Sequence, residues 1–316
     1  MKGLFTQCMC ILTDGRTTIE DIIKACQQYG LSIVKQTPAG DNWHMGGPSV
    51  TVEYQPETNG YVIIDCVNMQ WPDGMGDPKS DPMLFGAWSM GHFGPFTFPG
   101  GLARAGQHSR AWEEGRTVSE RHRGFIRVRL SYVTGADKDA PVIPDNYDPL
   151  NELMFLSTII IALKNVPGAL CYFNPNGEVL RDLNEFKSTF NEAIKQNRAP
   201  LLLWMNVRFF KLTDELYFMD TVGNNQIDVT DIEAIFPIKE YEAGTIDYYL
   251  RNVTHYLLGS KPVFSDNESI DGPNESNLSW MINISDRGAV TPPREVLRLF
   301  PGSLQKDVRA ALSSVE

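Results

Sequence analysis

Hydrophobic and polar residues alternate along the first 135 residues in a way that predicts several strands and one amphipathic helix. The clearest strand is Phe125–Tyr132, where Arg127 and Arg129 lie on one face and aliphatic residues on the other. The helix is predicted over Ile19–Tyr29 and ends at Gly30. The other predicted strands are Phe5–Leu12, Leu31–Lys35 and a hairpin of Val50–Tyr54 with Tyr61–Val67.

The second half of the chain opens with a strong helix signal, because Asp148 can cap a helix and Pro149 suits its first turn. Another helix is predicted to start at Asp182, and Leu201–Leu212 has the pattern of one long buried strand. The further predicted elements are strands Ala169–Phe173, Leu216–Asp220, Ser279–Ser285 and Glu295–Phe300, and a helix over Ile246–Leu258.

This mixture of helices, strands and hairpins predicts an α+β fold of mixed, mainly antiparallel sheets with flanking helices. The segment Thr134–Tyr147, which contains Pro141 and Pro144, is the best candidate boundary, giving an N-terminal α+β half at 1–135 and a C-terminal half at 148–316. Both halves contain strand, helix, strand and hairpin segments in that order. Two similar α/β halves, or one compact unit, therefore stay open as alternatives.

The stretch Trp71–Gly101 is rich in aromatic residues, yet its five prolines and seven glycines interrupt any regular element. A connection of about thirty residues far exceeds the usual ~4–6, and such loops are commonly functional or disordered. Disordered segments are poor in aromatic residues. We therefore predict an ordered loop, which either packs on its own sheet or presents Trp and Phe side chains to a partner.

Composition narrows the classes of function. The net charge of −11 argues against direct binding to nucleic acid or to an anionic membrane. No apolar run approaches the ~20 residues that a spanning helix needs. Five cysteines, an odd number, and the absence of a secretory signal at the N-terminus are typical of a reduced, cytoplasmic protein.

Candidate catalytic groups lie in this loop and in the residues that follow it. Ala87–Gly91 reads AWSMG and resembles a nucleophile elbow around Ser89, but an elbow needs a strand before the serine and a helix after it. His92, His108, His122 or His255 could serve as its base. The spacing of the first three histidines matches no metal-binding pattern. We expect neither a metal nor a cofactor. A hydrolase with a loop-borne Ser89 or histidine site remains an alternative.

Charge is unevenly distributed along the chain. Seven arginines follow the loop, and we favour their pairing inside the protein over binding of an outside carboxylate or phosphate. Residues 212–238 and 262–286 contain acidic residues and no lysine or arginine. Unopposed acidic loops can accelerate association with a basic partner. The seven arginines are Arg104, Arg110, Arg116, Arg121, Arg123, Arg127 and Arg129.

Five motifs give the chain a resemblance to a known family. They are Trp71–Asp73, Phe93–Pro95, Arg123–Arg127, Pro167–Tyr172 and Glu295–Leu299. With these, the sequence resembles an uncharacterised bacterial family defined by a domain of unknown function. The resemblance supplies no catalytic residue. Some members of that family resemble proteins that are encoded beside polymorphic-toxin genes. This resemblance implies a role as an immunity protein.

The sequence therefore favours a non-catalytic cytoplasmic binding protein, an immunity protein that neutralises a basic toxin domain by direct contact. A nuclease is the most natural target, because a nuclease must itself attract phosphates. A structural module of unknown role is the third alternative. The predicted partner-binding residues are the aromatic anchors Trp71, Phe85, Trp88, Phe93 and Phe96 and the steering charges Asp214, Asp228, Asp231, Asp266 and Asp271.

Overall fold

The computed structural model describes residues 2–109, 112–137, 139–273 and 279–312. The chain divides into two compact units, Met1–Trp204 and Met205–Glu316, called unit 1 and unit 2 below. The elements of each unit form a sheet with helices, and the sheets are antiparallel or mixed. The predicted α+β class is confirmed.

Unit 1 is built on a seven-stranded sheet with the order β2-β3-β4-β5-β1-β6-β7, in which each pair of neighbours is antiparallel. The strands are β1 (Gln7–Thr13), β2 (Ile33–Thr37), β3 (Ser49–Gln55), β4 (Gly60–Val67), β5 (Gly124–Ser131), β6 (Ala169–Asn174) and β7 (Val179–Arg181). The helices are α1 (Ile19–Gln28), α2 (Pro82–Ser89), α3 (Gly101–Gln107), α4 (Gly115–Arg121), α5 (Pro149–Leu163), α6 (Leu183–Lys195) and α7 (Leu201–Trp204).

The predicted boundary segment lies inside unit 1, so the structure divides the chain at a different place from the predicted one. Strand β6 pairs with β1, with Cys10 opposite Phe173 and Ile11 opposite Tyr172. Helix α5 packs against β1 and β5. Residues after 148 thus complete the sheet that the N-terminal strands begin. A proline-rich loop marked a surface connection, and sequence alone could not show that both sides of it share one sheet.

Unit 2 contains a six-stranded sheet with the order β11-β12-β13-β10-β9-β8, in which β10 and β13 are parallel and the other neighbours antiparallel. Helix α8 packs against β8, β9 and β10. The strands are β8 (Asn206–Lys211), β9 (Leu216–Val222), β10 (Asp231–Pro237), β11 (Ser269–Asp271), β12 (Ser279–Ser285) and β13 (Val296–Pro301). The helices are α8 (Ala243–Ser260) and α9 (Gln305–Leu312).

The apolar run Leu201–Leu212, predicted as one strand, is split between the units. Its first four residues form α7, and strand β8 starts at Asn206. The indole of Trp204 donates to the hydroxyl of Ser157 at 3.1 Å inside unit 1. The backbone from Asn206 onward pairs with β9 of unit 2. One hydrophobic run contributes residues to the cores of both units, and its periodicity cannot show where unit 1 ends and unit 2 begins.

Among the described residues, no helix combines the length and the apolar character needed to cross a membrane. All five cysteines are free and buried.

Candidate functional site

The aromatic loop of unit 1 is packed into the core. Trp71 is 4% exposed, and its ring lies edge-on to Phe93, Phe125 and Phe173 with centroid distances of 5.2, 5.3 and 5.3 Å. Trp88 stacks on Phe93 at 5.2 Å. Trp71, Trp88 and Phe93 are therefore core residues, which corrects their prediction as exposed anchors. Burying three large aromatic rings stabilises the unit more than an exposed loop could.

The two other predicted anchors keep part of their surface. Phe85 and Phe96 are half-buried. Phe85 belongs to α2, a helix that the proline and glycine content of the loop argued against. Pro82 stands in the first turn of that helix, where its missing N–H costs nothing. The loop is thus part of the packed domain, as in the structural alternative considered from sequence.

Two polar side chains, Asn176 and Asp73, fix the path of the aromatic loop through hydrogen bonds. The sequence analysis did not predict this role for either residue. Asn176 accepts a hydrogen bond from the Phe96 backbone N–H at 3.0 Å and donates to the carbonyl of Cys8 at 3.1 Å. The carboxylate of Asp73 accepts from the backbone N–H groups of Leu102 and Ala103 at 2.8 and 2.9 Å. Asp73 therefore caps the first turn of α3 from outside the helix.

Ser89 and His122 both make structural hydrogen bonds. The hydroxyl of Ser89 donates to the carbonyl of Phe85 at 2.8 Å in the last turn of α2, so its proton is directed at backbone and not at a histidine. His122 accepts from the Trp71 N–H at 2.8 Å through Nε2, and its Nδ1 bonds the carbonyl of Ser119. Neither arrangement is that of a nucleophile with its base.

A buried ion cluster lies on the arginine-bearing face of β5. Arg127 contacts both carboxylate oxygens of Asp65 at 3.1 and 2.6 Å, and Arg129 contacts one of them at 3.1 Å. Burial by itself raises the pKa of Asp65, but the two guanidiniums outweigh it and lower that pKa to about 2. Internal pairing of these two arginines was predicted, yet the partner on β4 was not.

His92 completes this cluster as a neutral acceptor. Its Nδ1 lies 2.9 Å from Nη1 of Arg129, which can only donate, so Nδ1 accepts. Burial, followed by the positive charges of Arg129 and Arg127, lowers the pKa of His92 to about 4. A charged imidazolium would stand beside two guanidiniums, so the fold selects the neutral ring.

A His92→Gln variant should therefore be less sensitive to mild acid than the wild type. Because the folded-state pKa of His92 is depressed, its contribution to stability is complete above pH ~6.5 and falls as the pH drops toward about 4. The free energy of unfolding of the wild type minus that of the variant should be about 2 kcal/mol lower at pH 5 than at pH 7.5. Urea unfolding at both pH values measures this shift, and parallel curves would contradict it.

Unit 2 contains a larger buried ion network across β8, β9, β10 and β13. Asp220 is its centre: Arg208 contacts both carboxylate oxygens at 3.0 and 2.5 Å, and Arg294 reaches one of them at 2.5 Å. Arg294 also contacts Asp231 at 3.0 Å. Three guanidiniums and three carboxylates balance one another: Arg208, Arg294, Arg298, Asp220, Asp231 and Glu233, with Arg298 contacting Glu233 at 2.8 Å.

The same arginines hold the loop 286–295 against the sheet. Arg208 and Arg294 donate to the carbonyls of Thr291 and Pro292 at 2.8 and 2.7 Å. These contacts use donors that the carboxylates leave free, which satisfies groups that are costly to bury alone. The network thus holds a surface loop against four strands, and its role is structural.

Burial and pairing shift the acidic groups of the network in different directions. Burial raises the pKa of Asp231 and of Glu233 more than their arginine partners lower it. For Asp220, burial also acts upward, but Arg208 and Arg294 together hold its pKa below the usual range. Asp220 therefore remains the most firmly ionised carboxylate of the three.

The five predicted steering charges differ in their burial. Asp231 is 1% exposed and paired inside the network, so it cannot contact a partner in this structure; its local run had no arginine, but Arg294 reaches it from 63 residues away. Asp214, Asp228, Asp266 and Asp271 are exposed. Asp214 forms an exposed ion pair with Lys211 at 2.7 Å, a contact that contributes little to stability.

The accessible surface of unit 2 is acidic even though its core is neutral. Among its described side chains, eleven exposed residues are Asp or Glu and five are Lys or Arg. The exposed acids are Asp214, Glu215, Asp228, Glu240, Glu242, Asp266, Glu268, Asp271, Asp286, Glu295 and Asp307. A surface with this imbalance attracts cationic partners over distances of about a Debye length.

Other sites on the described chain are less developed. A surface cleft of about 450 Å³ lies beside Trp43 and Cys66 of unit 1, and another of about 500 Å³ lies beside Asp73 and Ser119. The thiol of Cys66 donates to the carbonyl of Thr17, and burial raises its pKa to about 12, so it is unreactive near neutral pH. The described residues contain no group of three His, Cys, Asp or Glu side chains placed to hold a metal ion.

The chain is an α+β protein whose second unit contains a buried ion network with no net charge and has an acidic surface. Residues 220–300 match a family model described as Domain of unknown function (DUF4261). The matched segment lies within unit 2 and includes every network residue except Arg208. Of the five sequence motifs, it contains Glu295–Leu299. No curated protein and no solved structure matches the chain.

Proposed function

We propose that this chain is a binding protein for a basic protein partner, and that unit 2 provides the contact surface. The observation that supports this is the excess of exposed acidic over exposed basic side chains in unit 2. The arginines that could offset this charge are partly withdrawn into the network, because Arg208, Arg294 and Arg298 are buried. A cationic partner would meet this surface with favourable long-range attraction.

In its finer form, the proposal is an immunity protein that occludes the active face of a basic toxin domain. This rests on the resemblance to relatives beside toxin genes and on the acidic surface. A nuclease domain fits best, since it carries positive charge to bind phosphates and an acidic protein can cover that charge. The aromatic contribution would come from residues other than the buried Trp71, Trp88 and Phe93.

The direct test is co-expression with the product of the adjacent gene, which the proposal requires to be a toxin and which is called the adjacent-gene toxin below. Cells that produce this chain together with the toxin should survive, and the two purified proteins should form a complex whose association slows with added salt. Survival that does not depend on this chain would contradict the proposal. So would a complex whose association rate is independent of ionic strength, because charge would then play no part.

Neutralising three exposed carboxylates should slow complex formation. In an Asp214→Asn/Asp228→Asn/Asp266→Asn variant, the association rate at low salt should fall about tenfold, with a smaller change in dissociation. Asp228 has a φ of +54°, a backbone conformation that asparagine tolerates. Stopped-flow mixing with the adjacent-gene toxin measures both rates.

The matched control removes the same charge from exposed acids of unit 1, as Glu57→Gln/Asp139→Asn/Asp145→Asn. Its association rate should stay within about twofold of the wild type, because steering depends on charges near the contact surface. Equal slowing by both triple variants would show that net charge, and not the surface of unit 2, governs the encounter.

A further inference from the structure

The carboxyl group of Glu152 is buried in unit 1 beside the first turn of α5. The hydroxyl of Thr6 donates to its Oε1 and the side-chain amide of Gln7 donates to its Oε2, each at 3.0 Å, and all three residues are fully buried. The hydroxyl of Tyr132 also lies against this carboxyl. These three groups are uncharged, whereas the buried carboxylate of Asp65 in the same unit is held by two guanidiniums.

The backbone N–H groups at the start of α5 are already occupied by another carboxylate, that of Asp148. Free N–H groups at a helix start stabilise a nearby anion. Pro149 has no N–H, and the side chain of Asp148 accepts from Leu150 and Asn151 at 2.8 and 3.2 Å. The N–H of Glu152 itself donates to the carbonyl of Asp148 at 3.1 Å. The helix terminus therefore does not offset the cost of burying a charge on Glu152.

The titratable groups around Glu152 come from the N-terminal segment, β3, the end of β5 and the cap of α5. They are Lys2, Tyr54, Tyr132 and Asp148. Burial raises the pKa of Glu152 above its usual range, and the uncharged donors and the charge of Lys2 lower that pKa by less. Burial, followed by the charge of Glu152, also raises the pKa of Tyr54 and of Tyr132, so both hydroxyls stay uncharged near neutral pH.

We propose that Glu152 is a pH-sensitive switch, whose neutral form holds the segment 2–7 and the start of α5 against the sheet and whose ionised form loosens them. The switch does not depend on which partner the chain binds. Because the folded protein binds the proton more tightly than the unfolded chain, this contribution to stability is complete below pH ~4.5 and is lost as the pH rises through the folded-state pKa. The segment 2–7 responds directly, since Thr6 and Gln7, which belong to it, donate to the carboxyl.

The test compares the wild type with Glu152→Gln, which has nearly the same shape and cannot ionise. Once the pH exceeds the folded-state pKa of Glu152, the folding equilibrium constant of the wild type should fall about tenfold per pH unit relative to that of the variant. Urea unfolding of the full chain in steps from about pH 5 to about pH 9 measures this change. Hydrogen exchange, corrected for its intrinsic pH dependence, should accelerate with pH in peptides covering 2–8 and 149–156 of the wild type but not of the variant.

A second variant and a matched control make the result independent of how one replacement packs. Glu152→Met cannot ionise either and should show the same pH dependence relative to the wild type. The control is Glu185→Gln, which changes an exposed glutamate in the first turn of α6 and should follow the wild type at every pH. If the stability difference between the wild type and both Glu152 variants is constant with pH, the switch is overturned. A difference that grows in favour of the wild type as the pH rises also overturns it, because Glu152 would then be stabilised as a carboxylate.

Discussion

Replacing Arg294 by methionine should lower the free energy of unfolding of unit 2 by about 3–5 kcal/mol. Arg294 contacts Asp220 at 2.5 Å and Asp231 at 3.0 Å, and all three side chains are buried. Without it Asp220 keeps Arg208, but Asp231 retains only neutral donors such as the hydroxyl of Thr221. A buried carboxylate without a cation is strongly destabilising, which sets the size of this effect.

Urea unfolding, with hydrogen exchange of peptides from β9, β10 and β13, measures this loss and locates it. Arg287→Met removes an exposed arginine seven residues away and should change stability by less than about 0.5 kcal/mol. Arg294→Met/Asp231→Asn restores the balance of charge and should recover part of the loss. A double variant no more stable than the single one would show that packing, and not charge, explains the result.

Asp65→Asn should destabilise unit 1 by a similar amount, about 3–5 kcal/mol at neutral pH. The substitution leaves Arg127 and Arg129 buried beside each other with no carboxylate between them. Asparagine has nearly the same shape, so the change acts through charge and leaves no cavity. The exposed Asp145→Asn is the matched control and should have little effect.

The pH dependence gives this prediction a second readout. The folded-state pKa of Asp65 is lowered to about 2, so its contribution to stability is present above pH ~4 and is lost as the pH falls through about 2. This pH-dependent contribution of Asp65 to the free energy of unfolding amounts to about 2 kcal/mol. The stability difference between wild type and Asp65→Asn should therefore narrow between pH 4 and pH 2. A difference that is constant with pH would contradict an ionised Asp65.

Local signals in the sequence predicted local structure well. Asp148 and Asp182 cap α5 and α6 by accepting from backbone N–H groups in the first turn, as their positions indicated. The alternation in Phe125–Tyr132 correctly placed Arg127 and Arg129 on one face of a strand. These features depend on a few neighbouring residues, which is why one sequence is enough to see them.

Long-range pairing is what the sequence could not supply. The acidic run at 212–238 looked unopposed, because its partners Arg208, Arg294 and Arg298 lie outside it. One signal was available: Asp231 and Glu233 alternate with apolar residues in a strand, and carboxylates in a buried strand require cations. It indicates that partners exist but not which arginines they are.

The aromatic loop shows the same limit. Its composition correctly indicated order, but order is compatible both with an exposed contact surface and with a packed core. The outcome depends on Phe125 and Phe173, which come from strands far along the chain and receive Trp71 between them. Burial of a side chain is a property of the assembled sheet, and no pattern within residues 71–101 encodes it.

The ion network also bears on where this kind of domain begins. Both carboxylate oxygens of Asp220 accept from Arg208 on β8, a strand that precedes the matched residues 220–300. A fragment cut to that region would lose the outer strand and half of the cations around its central carboxylate. A fragment that keeps the whole of β8 and the complete network must therefore start at or before Asn206, upstream of the matched residues.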